Sequence, residues 1–217
     1  MISGIRFKVC GLTSLVDAEI ADKCGADYLG FNLYPQSPRY VSLAQFRAMA
    51  SHLPDRRKVV IAVEPTVEQL KAMDEAGFDF FQIHFREATP MATLQKWSEM
   101  LGPKRLWLAP KLAPAVDLDP ALLPLADYVL VDTFRAESFG GTGETGDWGK
   151  FARHREAYPN KHWILAGGLN AENVAAAVRA TGAKFIDVNS GVETAPGVKD
   201  LAKLQQLVVR LHESRAQ

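Results

Sequence analysis

HWILAGGLNAENVAAAVRATGAKFIDVNSG, residues 162–191, decides the architecture. It opens on an apolar run, 162–166, and turns on Gly167 and Gly168. An alanine-rich stretch then leads to Gly182, and a second apolar run, 185–188, ends at Ser190 and Gly191. Strand, glycine turn, helix and strand make one β–α–β unit. The runs are continuous rather than alternating, as parallel strands buried on both faces require. Asn170 is expected to cap the helix, and Gly182 to end it.

The same unit recurs upstream. Further strands are expected at 5–9, 28–31, 58–63, 80–83, 106–112 and 128–131, which with the two above makes eight. Between them, Ser42 with Gln45 and Thr66 with Gln69 have capping-box spacing. Thr89 before Pro90 suits an N-cap and first helical position. Gly25 and Gly77 stand where helices end. Pro120 and Pro124 limit 118–125 to a short helix at best. In the last helix, expected over 201–214, Leu204, Leu207, Val208 and Leu211 fall on one face. Eight such units in 217 residues, with no linker or low-complexity tract, predict a single α/β domain over 1–217. The expected form is a closed (β/α)8 TIM barrel; an open doubly wound sheet is the alternative.

Composition narrows the functions. The chain is 47% hydrophobic, enough for a sizeable core, and 25 basic residues balance 25 acidic ones. No net field attracts nucleic acid or an anionic membrane. No apolar stretch reaches the roughly 20 residues that span a bilayer, and MISGIRFKVCGL lacks the marks of a signal peptide. A cytoplasmic protein is expected. Two cysteines and five histidines show no metal-ligand spacing, so neither metal nor disulfide is expected.

In a barrel the active face lies at the strand C-termini, and phosphate sites often use the loops after strands seven and eight. Gly167 and Gly168 lie in the first of these loops, Ser190 and Gly191 in the second. Glycines let backbone N–H groups approach an oxyanion, so together the loops predict a phosphate site. Loops 32–42 and 132–147 are longer than tight turns need, which favours function. Gly141, Thr142 and Gly143 in the second are expected either to close over a ligand or to act as a hinge.

Cys10 closes strand one and Asp132 closes strand six, so both are expected at the barrel mouth as an acid–base pair. A cysteine is more often inert filler, which is the reading for Cys24 inside the first helix. A nearby positive charge is expected to lower the Cys10 pKa. Arg39, in the loop after strand two, can clamp a carboxylate or phosphate. His84 and Asp187, near the ends of strands four and eight, complete the polar set.

At these residues the sequence resembles the phosphoribosylanthranilate isomerase family of tryptophan biosynthesis. The matching pieces are KVCGLT (8–13), ADYLGFNLYPQSPRYVS (26–42), VDTF (131–134), GGTGETGDW (140–148), LAGGLNAENV (165–174) and DVNSGVETAPGVKD (187–200). The resemblance implies a cofactor-free Amadori rearrangement of a phosphorylated aminosugar by a monomer or homodimer. It implies Cys10 as general base, Asp132 as general acid, and Arg39 on the anthranilate part. Gly167, Gly168, Ser190 and Gly191 then match the phosphate loops.

The sequence departs from the family pattern in strand three, where IAVEPT places Glu64 at or near the active face. In strand four, QIHFRE puts Phe85 where glycine is usual; strand five matches loosely, and Asn189 replaces a serine. A carboxylate there costs affinity for an anion unless Arg86 or Lys111 offsets it. These departures leave two alternatives: an isomerase of another phosphorylated aminosugar, or a non-catalytic barrel that binds a phosphorylated ligand.

Overall fold

Alternate residues of each apolar run face opposite ways, so eight short strands build two layers at once. The computed structural model describes residues 1–113, 116–132 and 147–213. The strands are β1 (Arg6–Val9), β2 (Tyr28–Asn32), β3 (Arg57–Val63), β4 (Phe80–Arg86), β5 (Leu106–Lys111), β6 (Tyr128–Val131), β7 (His162–Leu165) and β8 (Phe185–Val188). All pair in parallel in chain order, and β8 returns to β1, with Lys8 opposite Asp187. The barrel is closed.

Outward residues such as Phe7, Phe31, Phe81 and Ile83 join the main apolar core beneath the helices. These are α1 (Leu15–Lys23), α2 (Leu43–Ala50), α3 (Val67–Asp74), α4 (Met91–Leu101), α5 (Trp148–Ala157), α6 (Val174–Thr181) and α7 (Leu201–Glu213). A short 3-10 helix, Pro120–Leu125, stands after β5 where the prolines forbid a longer one. Inward residues divide by height. Near the strand N-termini, Tyr28, Trp107, Tyr128 and Phe185 form an aromatic floor with ring centroids 4.9 to 6.5 Å apart. Above it, towards the strand C-termini, the lining turns polar: Lys8, Gln82, His84 and Asp187, all buried.

Both capping boxes form, with each side chain answering the other's backbone N–H. Gly182 ends α6 at φ 62, in the left-handed region. Two expected starts move. Thr89 does not cap α4, which opens at Met91 after Pro90, because the Thr89 hydroxyl donates to Glu64 at 2.8 Å. Asn170 instead caps the turn before α6, accepting from the N–H groups of Glu172 and Asn173, and the helix opens at Val174. A small hairpin, β9 (Glu193–Ala195) with β10 (Val198–Lys199), follows a 3-10 turn at Ser190–Val192 and was not expected from the sequence. Among the described residues no helix is long and apolar enough to cross a membrane, and no cluster of three metal-ligating side chains forms.

Candidate active site

Period two puts Lys8 and Cys10 on the inner face of β1 and its continuation, and Asp187 on the inner face of β8. Cys10, Gln82, His84, Asp132, Asp187 and Asn189 line one cleft at the strand C-termini, together with Gly167, Gly168, Ser190 and Gly191. Nine of the twelve predicted site residues therefore meet at one place or, as with Arg39, stand just beside it. Gly141, Thr142 and Gly143 lie outside the described residues.

The two glycine loops touch. A Cβ on Gly191 would stand 2.1 Å from the Leu169 carbonyl oxygen, so only glycine lets the β8 loop lie against the β7 loop. Gly167 and Gly168 both have positive φ, 93° and 63°, a conformation that costs other residues energy. Asn173 fastens this turn by donating from its amide to the Gly168 carbonyl at 2.8 Å. Gly191→Ala is expected to separate the loops and raise KM roughly ten- to a hundredfold, the loss of one charge-assisted hydrogen bond. Steady-state kinetics check it; an unchanged KM would remove these loops from ligand binding.

Lys8 was missed by the sequence reading, although IRFKVC carries the signal: a lysine two residues before Cys10 in an apolar strand shares its face. It is fully buried, and its Nζ donates to Asp187 Oδ2 at 2.7 Å. Gly30 on β2 makes the room, since a Cβ there would lie 2.9 Å from Lys8 Cε and 3.1 Å from Cys10 Cα. Burial works against the Lys8 charge, but Asp187 and then Cys10 hold its pKa above the usual lysine value. Burial pushes the Asp187 carboxyl up, with Lys8 pulling it back.

The Cys10 thiol departs from expectation. Its pKa stands above the ordinary thiol value, because burial outweighs the pull of Lys8, and Asp187 adds to the rise. The positive charge is present but does not outweigh burial.

His84 is neutral. Burial, then Lys8 and Lys111, bring its pKa down to about 4. The Gln82 amide meets its Nε2 at 2.9 Å. Two buried oxygens facing the cleft, Gln82 Oε1 and Asp187 Oδ1, have no protein partner among the described residues. Such atoms suit the hydroxyl groups of a polar ligand. The depressed pKa also has a stability consequence. Because the unfolded chain binds the His84 proton more readily, stability is present above about pH 6.5 and is lost as pH falls towards 4. Between pH 7.5 and 5 this single group is expected to remove about 2 kcal/mol, seen in urea unfolding and diminished in His84→Gln.

Arg39 stands at the rim rather than in the cleft lining. It packs over Gly11, next to Cys10, and beside Asn189. Its Nε reaches both Glu193 oxygens at 2.9 and 3.1 Å, and Nη2 reaches Oε2 at 2.6 Å. Burial disfavours the Glu193 charge, yet Arg39 and Lys199 hold its carboxyl below the ordinary range. Lys199 is buried too, donating to Glu193 at 2.7 Å and to Asn189 Oδ1 at 3.0 Å. Glu193, Lys199 and Asn189 thus tie the β2 loop to the phosphate-side loop, a link the sequence alone did not disclose.

Two of the departures from the family pattern, Phe85 and Glu64, turn away from the cleft, while Asn189 lines it. Phe85 faces the helix layer, 3% exposed, with its ring 6.2 Å from Trp97. Glu64 sits at φ 42 and spends its carboxylate on the next loop, accepting from the Arg86 N–H at 3.0 Å, pairing with the Arg86 guanidinium, and accepting from Thr89. Arg86 offsets the charge, as the sequence suggested it could.

Comparison with known proteins agrees with this geometry. The family model for N-(5'-phosphoribosyl)anthranilate (PRA) isomerase matches residues 7–210. The N-(5'-phosphoribosyl)anthranilate isomerase of Ruegeria sp. is 39% identical over 92% of this chain and 94% of its own. The crystal structure of phosphoribosyl anthranilate isomerase from Thermus thermophilus superposes with a TM-score of 0.80 at 32% identity, covering 97% of this chain and all of that one. A phosphoribosyl anthranilate isomerase in complex with reduced 1-(o-carboxyphenylamino)-1-deoxyribulose 5-phosphate superposes at 0.74 with 27% identity, over 96% of this chain and 99% of that one. With the family model matched over residues 7–210 and relatives aligned along nearly the whole chain, the chain belongs to the N-(5'-phosphoribosyl)anthranilate isomerase family.

Proposed function

We propose that this enzyme converts N-(5'-phosphoribosyl)anthranilate to 1-(2-carboxyphenylamino)-1-deoxyribulose 5-phosphate, with Asp132 as general acid and Cys10 as general base. The observation that carries the assignment is their meeting in one cleft with the two glycine loops. A phosphate seated on Gly167, Gly168, Ser190 and Gly191 fixes one end of the substrate. The ribose then spans the polar floor of Gln82, His84 and Asp187, and the anthranilate end lies towards Arg39.

In the first step, Asp132 gives a proton to the furanose ring oxygen. The C1'–O4' bond breaks and the nitrogen lone pair forms a protonated Schiff base. In the second step, Cys10 takes the C2' proton; the C–H electrons become the C1'–C2' double bond, and the iminium electrons return to nitrogen. The enolamine then takes a proton at C1' and loses one from the C2' hydroxyl, giving the ketone. C2' is oxidised and C1' reduced within one molecule, so the step balances internally.

Glu64 and Phe85 favoured a different aminosugar in the sequence; facing away from the cleft, they no longer do. Complementation of a tryptophan auxotroph lacking the isomerase tests the function. Growth without tryptophan is expected; no growth from a folded, expressed protein would overturn it.

A further inference from the structure

We propose that Lys8 is a positioning residue whose buried ammonium group favours, against burial, the Cys10 thiolate that removes the C2' proton. The proposal rests on the reading of Cys10 as the base.

The geometry leaves Lys8 little else to do. An ammonium group sealed inside a barrel loses its hydration, a cost several times that of an ordinary buried contact. The fold nevertheless makes space for it: Gly30 surrenders its Cβ to Lys8 Cε and Nζ. Lys8 Nζ has three donors. One reaches Asp187 Oδ2 at 2.7 Å, and the ammonium charge acts on the Cys10 thiol two residues along the same face of the strand. Gly30 makes room for both residues at once, since a Cβ there would crowd Cys10 Cα as well as the Lys8 ammonium. Asp187 keeps Lys8 charged and oriented, and its Oδ1 remains turned into the cleft for the ligand.

The other charges around the thiol must be weighed. Asp187 on β8 opposes the thiolate, while Lys199 on β10 favours it from further off. Arg39 packs over Gly11 but is engaged by Glu193; His84 on β4 is neutral, and Asp132 lies across the cleft on the end of β6. Of these groups, Lys8 favours the thiolate most strongly. Without it, burial acts on Cys10 unopposed by its strongest favourable charge, and the thiolate that serves as base becomes scarcer.

The test reads the thiolate directly and needs no substrate. In a Cys24→Ala background, iodoacetamide labels Cys10 alone, and the labelling rate is followed against pH. Lys8→Met is expected to move the inflection up by at least one pH unit and to lower the rate at pH 7 at least tenfold. Lys8→Arg, which keeps the positive charge, is expected to restore most of the rate, a rescue that a merely structural disturbance would not produce. If Lys8→Met leaves too much buried charge to fold, the Lys8→Met/Asp187→Asn double variant replaces it, still with a raised inflection. A parental profile in Lys8→Met, or no recovery in a folded Lys8→Arg, overturns the proposal. Failure of the base assignment would look different: Cys10→Ala would turn over normally while these labelling shifts persisted.

Discussion

Replacing Cys10 by alanine lowers kcat for N-(5'-phosphoribosyl)anthranilate by about 10³-fold while leaving the barrel folded. General base catalysis contributes on the order of 10² to 10⁴, and alanine can accept no proton. The cavity created is small, since only a sulfur at the cleft edge is lost, so thermal unfolding should change little. Ring opening depends on Asp132 and survives. The variant therefore holds open-chain Schiff base without completing the rearrangement, and burst experiments should show substrate consumed to that stage only. Normal turnover would remove Cys10 from the mechanism.

Asp132→Asn is expected to cost a similar factor, about 10³-fold in kcat, for a different reason. An amide fits the same space and keeps hydrogen-bonding capacity, but it has no acidic proton for the ring oxygen. The closed ribosylamine then persists. KM is expected to stay within a few-fold of the parent, because the phosphate loops and the rim arginine are untouched. A variant with near-parental kcat would transfer the acid role to another group. His84, neutral down to about pH 4, would be the first place to look.

Much of this was legible in the sequence because parallel barrels announce themselves through continuous apolar runs separated by helical stretches. All eight strands fall where those runs do, with ends shifted by a few residues. The largest shift, in β4, extends to Arg86 because Phe85 packs on Trp97 and Arg86 pairs with Lys111 of β5. The start at Thr89 was misread because its hydroxyl found Glu64, a competition a capping motif cannot show. Asn170 caps as its motif suggests, but the turn it caps stands before α6. Strand-end position was enough to single out Cys10, Asp132 and the glycine loops.

Long-range pairing was not legible. Lys8 with Asp187, 179 residues apart, and Arg39 with Glu193, 154 residues apart, come together only when β8 closes on β1. The rise in the Cys10 pKa was hidden likewise, because a sequence shows a nearby lysine but not the depth at which both are buried. Glu64 and Phe85 misled in the other direction. Their numbers place them near the active face, while pleat and loop geometry turn them away from it.

The division of labour between Asp132 and Cys10 is tested most directly by trapping. The parent, Cys10→Ala and Asp132→Asn are each incubated with N-(5'-phosphoribosyl)anthranilate and then with cyanoborohydride, which reduces an open-chain Schiff base to a stable amine. The parent should yield rearranged product. Cys10→Ala should yield the reduced open-chain amine and little product, and Asp132→Asn neither. Open-chain amine accumulating on Asp132→Asn, or rearranged product forming at the parental rate on Cys10→Ala, would contradict the assignment.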